Sequence, residues 1–332
     1  MRENELEVLN QYDIDVRNTK KIRDAIWCDT NTGPMVLKEM RISEKRIPVL
    51  SKLYDHLQEE NVSNVDWIQR NKEGGLFVTS DEGTKYFLKR WFVGKECDIH
   101  KESDVLESVR NLAVLHKALE NPFANDEAMD FFVGEDVRKE YFRHNREMKK
   151  VRTYIRGRVV KGEFEQAFLK EFDGMYEWAK VALERLESSM YESLLQESHT
   201  AHTVIHGDYN YHNILFLTNG IATTNFEHFR EDIPLTDFYY FLRKVMEKNH
   251  WNERLGEKMI VAYQKDHPLT DAETEYLAIC IAYPEKFWKV ANSYYRSKKS
   301  WIPAKNMEKL ELVIRQTEEK KNFLRSLFSF HL

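Results

Sequence analysis

Cysteine is scarce in this chain and unpatterned: Cys28, Cys97 and Cys280 are far apart and odd in number. Such residues build no disulfide framework and match no zinc spacing, which points to a reducing compartment. Long apolar runs are missing too, and none approaches the roughly 18 residues of a membrane span. The opening MRENELEVLN is charged and lacks the apolar core of a signal peptide, so no secretion signal is expected. Nor is there an excess of positive charge. Fifty Lys and Arg against 55 Asp and Glu leave a net charge of −5, which removes the global basic field of a nucleic-acid binder. Solenoid repeats and low-complexity tracts are absent. What remains is an ordinary globular composition, with 42% hydrophobic and 32% charged residues over 332 positions, enough for one large or two modest domains.

Two early segments echo each other. AIWCDTNTGPMVLKEM (Ala25 to Met40) and LFVTSDEGTKYFLKRWF (Leu76 to Phe92) each read as strand, Gly-containing turn, strand. Between them, from Ser43 to Glu60, Ile47, Leu50, Leu53 and Leu57 recur at helical spacing. Residues 1–90 therefore read as a small α+β lobe of hairpin, helix and hairpin. The lobes are expected to meet near KRWFVGKE, with Gly94 giving local freedom. Beyond it the chain turns helical. Val105, Val109, Leu112, His116 and Leu119 line one face, and Asn121-Pro122 stops that helix. Phe168, Phe172, Met175, Ala179, Leu183 and Leu186 line another. Thr270 with Glu273 forms a capping box that marks a further helix start.

The stretch VIHGDYNYHNILFLTNGIATTNFEHF (Val204 to Phe229) carries the chemistry. His206, Gly207, Asp208 and Asn213 spell H-G-D-x-x-x-x-N. Phosphoryl transfer needs a carboxylate to orient the attacking hydroxyl and a nearby side-chain oxygen to hold Mg²⁺. A loop with Asp208 five residues before Asn213 can aim both at one phosphate. Asn219-Gly220 reads as a two-residue hairpin turn, which would pair Ile214 with Asn225 and set Asn213 beside Asn225, where a second metal ligand belongs. Taken alone, His206 reads as a hydrogen-bonded core histidine and Asp208 as a turn or cap residue; the joint pattern with its returning hairpin is far more specific.

The loop HGDYNYHN resembles that of the aminoglycoside phosphotransferase and choline kinase superfamily, a branch of the protein-kinase-like fold. Within it, the chain is similar to the CotS-type spore coat proteins through FLKRWFVGKECDI, NLAVLHKAL, HGDYNYHNILF, DIPLTDFYYFLRKVMEKN and YPEKFWKVANSYYRSKKSWIPAKN. This resemblance implies an α+β, two-lobed protein-kinase-like fold, with a small β-rich N-lobe (1–90) and a larger helical C-lobe (91–332). It implies a role in spore coat assembly, in the mother-cell cytoplasm and then the coat, with other coat proteins as partners. It also implies residue roles. Lys38 falls at the nucleotide lysine, with Lys89 the weaker candidate and Glu44 a candidate ion-pair partner for Lys38. Asp208 would be the catalytic base, with His206 beside it in the catalytic set. Asn213 would be a metal ligand, and the hinge from Trp91 to Val93 would receive adenine. ATP and Mg²⁺ are the implied cofactors.

Three departures bear on activity. The superfamily writes Ile-Asp-Phe-Asp or similar where this chain writes Thr224-Asn225-Phe226-Glu227. An amide brings no negative charge to a hard cation. Glu227 keeps a carboxylate two residues on, either as an alternative metal ligand or as an exposed salt-bridge residue. Second, NTKKIRDAIW (Asn18 to Trp27) holds no glycine where a backbone phosphate cradle would want one. Lys20, Lys21 and Arg23 are then either side-chain phosphate contacts or a solvated edge. Third, Pro48 can delay the helix start on which the Glu44 pairing depends. Asp237 reads as structural, either the N-cap of the helix holding Phe238 and Phe241 or a tie to the catalytic-loop backbone.

The expected protein is a spore coat protein with a degenerate or weakly active ATP-dependent phosphotransferase cleft. The alternative is an active kinase of a sugar or other hydroxyl acceptor with Asp208 as base. The basic stretch from Arg138 to Lys161 is a solvated helix face or a docking site for an acidic coat partner; nucleic acid is not expected. Phe287 to Pro303 is rich in rings, which fill a core between helices or, with Tyr294, Tyr295 and Trp301, line an acceptor site or an interface.

Overall fold

The structure, a computed structural model, describes residues 7–123, 132–297 and 304–332. The chain gathers into two compact units, Met1–Val133 with Ala201–Asp237, and Gly134–Thr200 with Phe238–Leu332. The division does not follow a single cut near residue 90: the catalytic-loop segment returns to the N-terminal part and belongs to its unit.

The first unit is built on an antiparallel sheet of β1 (Val16–Ile22), β2 (Ala25–Thr30), β3 (Gly33–Glu39), β4 (Ile68–Gln69), β5 (Val78–Thr79) and β6 (Lys85–Arg90), in the order β1-β2-β3-β6-β4 with β5 also on β6. The two hairpins lie where the turn residues put them, with Thr30 opposite Gly33 and Val78 opposite Tyr86. Side chains alternate across the sheet. Met35 and Leu37 join Ile26, Cys28 and Leu88 in a core closed by Val8, Leu9 and Tyr12 of a short N-terminal turn. Val36 and Lys38, of the opposite parity, face a cavity. The helix α1 (Arg46–Glu59) buries Ile47, Leu50, Leu53 and Leu57, the stripe read from spacing. It begins at Arg46, so Glu44 lies ahead of it. The strand β1 was not expected. Its VRNTKKI carries charge on both faces and no apolar alternation, because it is the edge of the sheet.

The rest of this unit is β7 (Lys95–Glu96), α2 (Glu102–Ala118), β8 (Val204–Ile205), β9 (Ile214–Leu217), β10 (Gly220–Thr223) and β11 (Arg230–Glu231). The hairpin β9–β10 differs from expectation in register. Leu217 pairs with Gly220, so Ile214 faces Thr223 and not Asn225. Thr218 and Asn219 make the turn, one residue ahead of the expected Asn219-Gly220, and Gly220 opens β10 at φ 108°. Strand β7 adds to β9, Lys95 opposite Phe216. Here Gly94 serves contact more than freedom: a Cβ at that position would lie 2.7 Å from the Phe216 carbonyl oxygen.

The second unit is helical: α3 (Val137–Arg156), α4 (Glu163–Ser188), α5 (Tyr191–Thr200), most of α6 (Leu235–Met246), α7 (Glu253–Gln264), α8 (Asp271–Ala282), α9 (Glu285–Arg296), α10 (Ala304–Arg315) and α11 (Thr317–Phe328). The capping box holds reciprocally, with Glu273 N–H donating to Thr270 Oγ1 and Thr270 N–H to Glu273 Oε2. Of the aromatic-rich tail, Phe287 and Tyr294 fill the core, whereas Tyr295 is exposed. Phe287 stacks on Phe168 at 5.0 Å, Tyr294 stacks on Phe164 at 4.8 Å, and Tyr294 Oη donates to Glu165 at 2.6 Å. Trp301 lies outside the described residues. Within the basic stretch, Arg138 pairs with Asp136 and Glu192, Arg143 with Glu135, Arg152 with Asp173 and Arg158 with Glu165. All three cysteines are buried and free. Among the described residues no helix is long and apolar enough to cross a membrane.

Candidate functional site

A cavity of about 420 Å³ opens inside the first unit, its wall carrying Arg23, Lys38, Trp91, Asp208, Asn213 and Asn225. The loop that supplies Asp208 is held from beneath. Asp237 accepts hydrogen bonds from the backbone N–H of His206 at 2.7 Å and of Gly207 at 3.0 Å. Burial alone would raise its carboxyl, but His116 first and the guanidinium of Arg230 keep it below its ordinary value. Asp237 lies inside the first turn of α6, so it is the tie to the loop and not the N-cap. Gly207 has φ 80°, and a Cβ there would lie 2.1 Å from the His228 carbonyl oxygen. Only glycine makes this turn without moving its neighbours.

His206 was expected in the catalytic set; the structure gives it a positioning role. It is fully buried, Nδ1 accepts from the Asp208 N–H at 3.1 Å, and Nε2 faces the Thr224 carbonyl at 3.0 Å. With Nδ1 accepting, the proton sits on Nε2. Both ring nitrogens are spent on aiming the loop, and neither reaches the cavity.

Asp208, Asn213, Asn225 and Lys38 form one chain of hydrogen bonds. Lys38 Nζ donates to Asn225 Oδ1 at 2.9 Å, Asn225 Nδ2 to Asn213 Oδ1 at 2.7 Å, and Asn213 Nδ2 to Asp208 Oδ2 at 3.0 Å. The direction of this chain is dictated by its ends. An ammonium can only donate and a carboxylate can only accept, so neither amide can be turned round. Asn225 reaches its place at φ 67° and ψ 53°, a left-handed conformation that asparagine tolerates better than most residues. Its backbone N–H donates to Asp66 at 2.8 Å. The second Asp208 oxygen accepts from Asn210 Nδ2 at 3.0 Å.

Glu227 was expected either as an alternative metal ligand or as an exposed salt-bridge residue; it is buried and off the cavity wall, and its Oε2 has no hydrogen-bond partner among the described residues. Its side chain is 7% exposed, and its Oε1 accepts from Lys89 at 2.9 Å and Lys38 at 3.2 Å. Burial alone would raise its carboxyl, but Lys89 and then Lys38 outweigh burial and hold it at about 2. Lys89 is wholly buried between Glu227 and Asp66, itself 0% exposed, and those two carboxylates keep it above its ordinary value despite desolvation. Lys89 therefore does not face the cavity. Glu44 is corrected as well: it pairs with Lys85 at the surface, because it precedes the helix that would have carried it inward, and Glu227 is the carboxylate on Lys38. At the hinge, Trp91 is on the cavity wall, while the Val93 side chain is 79% exposed and off it.

The glycine-free turn between β1 and β2 overhangs the cavity. Arg23, at φ 46°, bonds Glu96 Oε1 at 2.5 Å and approaches His212 Nδ1 at 2.8 Å. Lys20 and Lys21 are exposed on β1 away from the cavity wall.

These residues do not fit Mg²⁺. Each amide oxygen has one lone pair taken, that of Asn225 by the Lys38 ammonium, and the Asn225 NH₂ stands between the two side chains where a cation would have to sit. A divalent ion there would also meet the Lys38 ammonium. Two unit charges ~4 Å apart repel by roughly 4 kcal/mol at an effective dielectric near 20 and a second charge doubles that, an upper bound because Glu227 already pairs with Lys38. No carboxylate at 225 offsets it. Among the described residues, no group of three or more His, Cys, Asp or Glu is placed to hold a metal. The arrangement can orient a hydroxyl at Asp208 and hold an anion at Lys38. Asp66, Asn210 and the burial of Lys89 between Asp66 and Glu227 are not legible in the sequence, since nothing in NVDWIQ or YFLKRWF distinguishes a buried ion from a surface one.

Comparison with known proteins places the chain. Spore coat protein S of Bacillus subtilis is 27% identical over 336 residues, covering 97% of this chain and 93% of that relative. The crystal structure of an aminoglycoside phosphotransferase from Alicyclobacillus acidocaldarius superposes with a TM-score of 0.86 at 17% identity, covering 98% of this chain and 95% of the other. An amicoumacin kinase, solved in complex with AMP-PNP, Ca²⁺ and amicoumacin, superposes at 0.59 with 12% identity, covering 98% and 94%. These structures share the kinase-like fold, a small antiparallel sheet region followed by a mostly helical part. The family described as "Spore coat putative kinase YutH" matches residues 5–327, and the chain belongs to that family of spore coat proteins with a kinase-like phosphotransferase fold.

Proposed function

We propose that this coat protein keeps a nucleotide-binding cleft and has weak or no phosphotransferase activity, its contribution to the coat being chiefly structural. The observation that carries this reading is the closed chain from Lys38 through Asn225 and Asn213 to Asp208, with Glu227 withdrawn onto two lysines. Nucleotide binding is supported by a cavity with Lys38 and Trp91 on one wall, and by AMP-PNP in the structurally similar amicoumacin kinase. In this reading the sheet of residues 1–90 supplies the nucleotide side of the cavity, and the loop after β8, within 91–332, supplies the catalytic side. Coat partners would dock on the part of the basic stretch not already paired with acids, Arg146, Lys149 and Lys150 above all. Calorimetry with ATP, followed by ADP release over hours, tests it: binding with negligible turnover is the expected result.

A second reading, an active kinase of a sugar or other hydroxyl acceptor, is favoured by one observation. The Asp208 carboxylate is retained and held by two amide donors, as a base or orienting group requires. Robust phosphorylation of an acceptor, lost in Asp208→Asn, would establish it.

A further inference from the structure

We infer that the cleft takes a nucleoside di- or triphosphate without a divalent cation, with Lys38 and Arg23 meeting the phosphates where a metal would otherwise stand. This rests on the nucleotide-binding reading above and adds how the anion is neutralised.

Three features carry it. First, the Asn225 NH₂ bridges to the Asn213 oxygen at 2.7 Å. In a metal-binding cleft two oxygens face a cation at this point; here one partner is a donor, so the oxygens need no cation to coexist. Lys38 and Asp208 fix that polarity at the ends, and it does not reverse without breaking two charged hydrogen bonds. Second, Lys38 has three N–H donors. Two go to Asn225 and Glu227, and the side chain is 20% exposed on the cavity wall, which leaves a donor for phosphate. Third, Arg23 hangs over the same cavity from a turn without glycine. Its guanidinium has five donors in a flat fork suited to phosphate, and its present partners, Glu96 and His212, are 41% and 44% exposed in their side chains. Exchanging such solvated partners for a phosphate breaks no buried ion pair. A side-chain cation thus stands where a glycine loop would have offered backbone N–H groups.

The test is calorimetry of ADP and ATP with the full chain, once with excess EDTA and once with magnesium. The expected result is the same affinity in both. Arg23→Ala should weaken binding in EDTA by about tenfold, the worth of one charge-assisted contact. Asn225→Asp removes the bridging donor and sets two oxygens face to face. Its binding should become metal-dependent, with affinity in magnesium about tenfold or more above that in EDTA. Without nucleotide, the Mn²⁺ paramagnetic resonance spectrum should stay unchanged with the wild type and change with Asn225→Asp. Wild-type binding seen only with magnesium would overturn the inference and leave the nucleotide-binding reading intact. Binding in neither buffer would overturn the reading beneath it, and the inference with it.

Discussion

Replacing Lys89 by methionine isolates a fully buried cation beneath the cleft. Methionine matches the lysine stem in length and apolar character, so packing along Phe87 is kept and only the charge is lost. Lys89 faces two carboxylates, Asp66 and Glu227, with side-chain exposures of 0% and 7%. Lys38 remains on Glu227 in the mutant, whereas Asp66 keeps only the neutral donors Tyr54 Oη and Asn225 N–H. Removing one partner of a buried pair typically costs about 3–5 kcal/mol, because the charge left behind has no water. The expected loss in urea denaturation near neutral pH is therefore about 4 kcal/mol. The pH dependence gives the sign. In the wild type, Glu227 is held below its unfolded value, so its contribution is present above pH 4.5 and lost as pH falls towards about 2. In the mutant, Asp66, which burial already pushes up, rises further. The folded state then binds more protons than the unfolded one, and the gap to wild type should narrow on acidification. Lys89→Met with Asp66→Asn, which removes both charges, should recover most of the loss. A single mutant within about 1 kcal/mol of wild type, with the same acid profile, would refute the claim that this trio is desolvated.

Gly207→Ala should destabilise by about 3 kcal/mol or more and remove nucleotide-dependent stabilisation, since both φ and the His228 carbonyl oppose a Cβ; chemical denaturation with and without ADP reads it. Asp237→Asn leaves one of the two loop amides facing another donor and should cost about 2 kcal/mol, seen also as faster amide exchange at His206 and Gly207. Glu44→Gln should change stability by less than about 0.5 kcal/mol, because its partner Lys85 is at the surface, and nucleotide affinity should be unchanged. Charge reversal of Arg146, Lys149 and Lys150 to glutamate should leave the fold intact and abolish coat localisation of a fluorescent fusion; normal localisation would return this face to solvent.

Much of the architecture could be read before any coordinates. The two hairpins announce themselves because glycine turns sit between β-rich flanks, and α1 and α4 because their apolar residues recur at helical spacing. Asp208, Asn213 and Asn225 reach one cavity because five residues of loop and a short hairpin leave little choice. The same hairpin shows the limit of that reading. Assigning the turn to Asn219-Gly220 shifted the pairing by two residues, and Asn225 still met Asn213 only because it leaves the strand in a left-handed bend. Charge partners were the least legible. Lys38 finds Glu227 at a separation of 189 residues, and nearby Glu44 was the wrong guess because local proximity says nothing of which carboxylate the fold carries inward.

The contact at Gly94 bears on which part of the first unit moves. Strand β7 is hydrogen-bonded to β9, and the glycine backbone rests on the Phe216 carbonyl with no room for a methyl group. The segment after Trp91 is thus fastened to the hairpin that carries the cavity floor. Breathing of the cavity is then expected upstream of it, at the Arg23 turn, whose contacts to Glu96 and His212 are solvent-exposed. Hydrogen exchange would then show Lys95 and Glu96 protected to the same degree as Leu215 and Phe216, while the Arg23 turn exchanges faster and slows when a nucleotide fills the cavity.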